Sequence, residues 1–62
     1  MSRGFDHLLD RLLRRKAEIA AALAQGSAGD YSAYRELVGQ YAGLQYAQEQ
    51  LESILRAEEQ DE

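Results

Sequence analysis

The sequence predicts an all-α chain folded as a two-helix antiparallel hairpin, coiled-coil-like, and completed into a helical bundle by oligomerisation or docking. Three observations carry this expectation. Proline is absent, and Ala, Leu, Glu, Gln and Arg dominate, a composition of long helices rather than of sheets. Apolar residues recur at alternating steps of three and four along two stretches. A single short segment, Gly26-Ser27-Ala28-Gly29-Asp30, divides the two.

The first stretch places Phe5, Leu9, Leu12, Ile19 and Leu23 on one stripe, widened by Leu8, Leu13 and Ala20. It predicts an amphipathic helix over about residues 4–25, beginning near Ser2 or Gly4. Lys16 interrupts the stripe with a charge; its stem can lie on apolar neighbours while the ammonium reaches water. Gln25-Gly26 ends the helix, because glycine takes the left-handed C′ conformation at no steric cost.

The connection at 26–30 is short enough to force antiparallel neighbours. Asp30 is the expected N-cap of the second helix, accepting from first-turn N–H groups and opposing the positive dipole end. Ser27 competes as a cap one turn earlier.

From Tyr31 the pattern resumes through Tyr34, Leu37, Tyr41, Leu44, Gln48, Leu51 and Leu55, with Val38 and Ile54 alongside. A second helix over about residues 31–58 follows. The end, 59–62, is acidic without an apolar anchor, and its charges oppose the helix C-terminal dipole, so it is expected to fray. Folding at the loop pairs residues whose numbers sum to about 57: Leu23 with Tyr34, Ile19 with Val38, Lys16 with Tyr41, Leu12 with Leu44, Leu9 with Gln48. In that register Arg11 and Arg15 lie within reach of the face carrying Glu49 and the tyrosines.

Composition bounds the function. At 62 residues the chain is one domain that buries a small share of its surface, so its stability alone is marginal. With no cysteine, neither a disulfide framework nor a zinc site supplies the difference. Leu8, Leu13, Ile54, Tyr31 and Tyr46 flank the seam and call for a second layer. The net charge of −4 is unevenly spread. Arg3, Arg11, Arg14, Arg15 and Lys16 stand against Asp6, Asp10 and Glu18 in the first half, whereas the second is strongly acidic. Such a balance suits self-association or a basic protein surface and argues against nucleic acid or anionic lipid as partner of the second half. No apolar run reaches the ~20 residues of a bilayer span, and a signal-peptide core is missing, so no membrane role is expected and the chain is placed in a cytoplasm.

Gly39 and Gly43 stand four apart in mid-helix, where each costs ~1 kcal/mol relative to alanine. Two uses offset that cost: close packing against Ala20, Ala21 and Ala24 within the hairpin, or a seat for a partner helix. Tyr31, Tyr34, Tyr41 and Tyr46 carry apolar area with a polar tip, which suits core, partner contact or a base-stacking platform. Arg11, Arg14 and Arg15, with Lys16, form a basic turn that is either a solvated face paired with the acidic second helix or a phosphate contact. His7 lies near Asp6 and Asp10, yet no second strong ligand follows at i+4, so a surface histidine is expected and no metal. No cofactor motif, nucleophile–base pair or glycine-rich phosphate loop exists, and a hairpin offers no dry cleft, so no enzyme is expected.

The run Asp30-Tyr31-Ser32-Ala33-Tyr34, then Gly39, then Gly43-Leu44 and Ala47, resembles a pattern in small helical-hairpin proteins of tailed bacteriophages that accompany virion morphogenesis genes. The resemblance covers the second half by residues and the first by pattern only. It implies a phage setting, in the virion or the host cytoplasm, and the first reading is a structural or assembly protein that oligomerises or docks on head, portal or tail components through a Tyr/Gly face of the second helix. A phage-encoded regulator or counter-defence protein that binds a host protein is the alternative. In size and hairpin design the chain is also similar to the RNA-binding Rop protein of plasmids, without a shared residue motif. A Rop-like dimer binding RNA or a nucleotide through Arg11, Arg14 and Arg15 is the third reading.

Overall fold

A computed structural model describes residues 3–60 and contains two helices, α1 (Arg3–Ala24) and α2 (Tyr31–Gln60). They pack against each other as a hairpin rod with extents of 49 × 15 × 14 Å. The all-α, two-helix hairpin predicted from the sequence is the one observed. A start at Ser2 and the last two residues of the acidic tail fall outside the described residues. The remaining tail positions differ from expectation, since α2 runs through Glu59 to Gln60. Nothing in Ala57-Glu58-Glu59-Gln60 breaks a helix, and all four are good helix formers, so propensity outweighs the unfavourable dipole term there.

The turn is built by three local devices. At the end of α1 the Ser27 N–H donates to the Ala22 carbonyl at 3.0 Å and the Gly26 N–H to the Leu23 carbonyl at 3.1 Å. This is a Schellman closure with Gly26 at φ +72°, the conformation expected of a C′ glycine. Three residues on, the Asp30 N–H donates to the Ala28 carbonyl at 2.7 Å across Gly29 at φ +77°. That is a γ-turn of the positive-φ kind, strained for any residue with a Cβ. Asp30 then caps α2: its Oδ1 accepts from the Ala33 N–H at 2.8 Å while its carbonyl accepts from the Tyr34 N–H at 3.0 Å. Ser27, occupied in the Schellman closure, does not start the helix. Asp30→Ala should lower stability by about 1 kcal/mol, read as an earlier thermal midpoint by circular dichroism. An Asp30→Asn chain should recover most of that loss, since the amide oxygen still accepts.

Among the described residues only Ile19 and Leu51 are buried, at 1% and 6% exposure. In the antiparallel register they plug opposite ends of the seam. The other seam residues, among them Leu12, Leu23, Leu37, Leu44 and Leu55, are half-buried. Two cylinders touch along a line, so each covers only a strip of the other, and a seven-step stripe cannot be enclosed by a single partner helix.

Candidate interface and the polar clasp of the seam

Between the two buried plugs the seam carries a polar cluster. Lys16 on α1 donates from Nζ to Oε1 of Gln45 and, at 2.6 Å, to Oε1 of Gln48. The same ammonium lies 5.1 Å from the centroid of the Tyr41 ring, within the range of a cation–π attraction. The expected Lys16–Tyr41 pairing is therefore present. The expected exit of the ammonium to water is replaced by capture, because three acceptors already surround it. The two amides pass the interaction on: Gln45 Nε2 donates to Glu49 at 2.9 Å and Gln48 Nε2 to Glu52 at 3.2 Å. One cation is thus joined to two carboxylates through polarised amides, each a helical turn away. Gln45 and Gln48 were not identified from the sequence as Lys16 partners. The signal was there in one of them, since Gln48 is the polar step in the α2 stripe as Lys16 is in that of α1, and two polar breaks in facing stripes tend to meet.

The basic turn behaves differently from expectation. Arg14 pairs with Asp10 at 3.3 Å and Arg15 with Glu18 at 3.1 Å, both within α1. Across the seam Arg15 reaches only the neutral Gln40, at 3.4 Å. The anticipated pairing of Arg11 and Arg15 with Glu49 does not form, because Glu49 is engaged by Gln45 on the other flank of the rod. Both of these ion pairs are exposed and contribute a few tenths of a kcal/mol each. As a phosphate-binding patch, Arg11, Arg14 and Arg15 retain little free charge, because Asp10 and Glu18 offset two of the three.

At 3.6 residues per turn, the exposed apolar residues of α2 divide into two sets. Tyr31, Tyr34 and Val38 stand on one flank of the seam; Gly39, Gly43, Ala47 and Ile54 stand on the other, and Tyr46 points further round. The tyrosines and glycines therefore do not form a common face. On the first flank an open apolar groove is lined by Ala20, Leu23, Val38, Tyr41 and Ala42. Tyr31 and Tyr34 continue it toward the turn, their rings stacked at 6.3 Å with 24° between planes. Tyr31 is 72% exposed and Tyr34 49%. Leu13 of α1 extends the same flank and is likewise exposed. Tyr41 is half-buried beneath Lys16 and belongs to the seam more than to the surface. On the second flank Leu8 and Ile54 are exposed near the open end of the hairpin, and Tyr46 is 65% exposed.

The two mid-helix glycines have no intramolecular neighbour: a Cβ at Gly39 or Gly43 would meet nothing within 4 Å. Packing against Ala20, Ala21 and Ala24 is thereby ruled out, since those alanines lie elsewhere on the rod. Gly43→Ala and Gly39→Ala should each raise stability by about 0.5–1 kcal/mol, measured as a later urea midpoint with unchanged slope. A loss of stability would mean that a second chain seats on this flank.

His7 is exposed, and no group of three or more potential metal ligands exists among the described residues. No helix of the described residues is long and apolar enough to cross a membrane. Compared with family models, with curated proteins and with solved structures, the chain matches none.

Proposed function

We propose that this chain is a non-enzymatic protein-interaction module whose binding surface is the turn-proximal flank of the hairpin, centred on Tyr31, Tyr34 and Val38. The observation that supports this is the open apolar groove continued by two stacked, solvent-facing tyrosines. Large aromatic surfaces with polar tips are what partners bury at interface centres. Exposed apolar area of this extent in so small a chain is costly to solubility unless it is covered. The setting is that of tailed-phage assembly, with the chain acting on head, portal or tail components; this part of the reading is supported by the Asp30-to-Ala47 motif alone. Nucleic acid is a weaker partner, because Arg14 and Arg15 already serve Asp10 and Glu18.

A photo-activated cross-linking residue placed at Val38, in cells that make the protein, should give a discrete protein adduct, and the same probe at Arg14 should not. A negative charge introduced next to the probe, by Tyr34→Glu, should reduce the Val38 adduct at least tenfold. Equal labelling from both positions, or none from Val38, would contradict the assignment of the surface. Stoichiometric recovery of the chain in purified particles would support the assembly setting, and its absence from them would remove it.

A further inference from the structure

Resting on the interaction reading above, we infer that the occupant of the turn-proximal flank is a second copy of this chain, with the two turns at the same end and α1 of each copy lying over α2 of the other.

The area of a single copy calls for a partner of about this size. A compact monomer of 7.0 kDa exposes about 4,000 Å² by surface-to-mass scaling. This hairpin exposes 4905 Å². The excess, about 900 Å², matches one partner's share of a standard interface, ~800 Å². A second hairpin supplies that cover and turns a two-helix line contact into a four-helix core.

Shape selects the pairing of helices. On the turn-proximal half of this flank α2 carries the bulky Tyr31, Tyr34 and Val38, and α1 carries the small Ala17, Ala20 and Ala24. Laying α1 over α2 of the other copy sets bulk against alanine at the same height. Like over like would set tyrosine on tyrosine and leave the alanines facing a gap. Helix charge does not enter this contact: Arg11 and Arg15 lie on the opposite flank of the rod, where Arg15 meets Gln40, and Arg14 faces outward. The open half of the flank carries Asp6, Asp10, Glu49 and Glu52, which oppose burial against their own copies. Crossing of the two rods at one of the usual helix-packing angles carries these open ends apart while the turn-proximal halves stay in contact.

The chain has no cysteine, so single substitutions at alanines report the pairing directly. Ala17 and Ala42 lie on the outer rim of the contact, at matching heights. An Ala17→Cys chain mixed with an Ala42→Cys chain and oxidised should give the mixed disulfide in at least fivefold excess over either homodisulfide. An Arg14→Cys chain, on the outward face, should give none above the dilute background. Prevailing homodisulfides at 17 and 42 would overturn the crossed pairing, and no interchain disulfide would overturn the second copy as occupant. The Val38 photo-adduct separates this from the broader reading. A Val38 adduct to a larger protein, with no interchain disulfide, sinks the second copy and leaves the interaction surface standing; the loss of both sinks both.

Discussion

Ile19→Ala should lower the stability of the hairpin by about 3 kcal/mol, the range for emptying a buried aliphatic site. A 62-residue chain holds roughly 3–9 kcal/mol in total, so this one truncation removes a third or more of it. The effect is large because Ile19 is, among the described residues, the one side chain almost wholly enclosed, and the half-buried leucines around it cannot collapse inward without giving up contacts of their own. Ile19→Val, which removes one methylene, should cost only about 1 kcal/mol. Thermal melts at a fixed protein concentration, followed by helical ellipticity, measure both. Truncation of the exposed Leu8 on the opposite flank should fall within about 0.5 kcal/mol of the parent, and a Leu8→Ala loss equal to that of Ile19→Ala would show that the core has been misplaced.

Lys16→Glu should be the second most damaging change, at about 2 kcal/mol. It removes two charge-assisted hydrogen bonds and the cation over Tyr41, and it sets a carboxylate among amides already committed to Glu49 and Glu52. A hydrogen bond to a charged group contributes about 1.5–3 kcal/mol; rotation of the two amides to present their NH2 groups recovers part of the loss. Lys16→Met gives the informative contrast. It should leave stability within about 1 kcal/mol of the parent, because a hydrophobe of similar length offsets the lost bonds. What it should change is the uniqueness of the register, since a continuous apolar stripe slides by a turn more freely than one pinned by a polar clasp. Dispersion of the amide resonances of Gln45 and Gln48 reads this: one sharp set in the parent, broadened or doubled in Lys16→Met. Equal sharpness in both would show that packing alone sets the register.

The fold was legible because each level of the sequence agreed with the others. Three-and-four spacing located both stripes, Gly26 marked the C′ position, and Asp30 supplied the cap, so helix ends and chain direction followed from local chemistry. The Lys16–Tyr41 register was readable from loop length alone. What the sequence hid is three-dimensional. Gln45 does not stand on the apolar stripe, and only the approach of α1 brings it to Lys16. Arg15 and Glu49 looked complementary in number and sign, yet the rod places them on opposite flanks. The tyrosines and the two mid-helix glycines, read together as one surface, separate for the same reason: a few residues of offset at 3.6 per turn move a side chain to the other side of the seam. Tyr31 is exposed as its place beside the seam predicts, whereas Tyr34, expected on the seam stripe opposite Leu23, is 49% exposed, since its polar tip disfavours enclosure between two helices with no partner for the hydroxyl.

That the isolated hairpin is an incomplete core is tested most directly by light scattering on the purified chain across a range of concentrations, with helical ellipticity recorded on the same samples. The account predicts a species of twice 7.0 kDa that dissociates on dilution, with ellipticity falling in step because the separated hairpin is marginal. A species of 7.0 kDa at every concentration, melting cooperatively at high temperature, would contradict it.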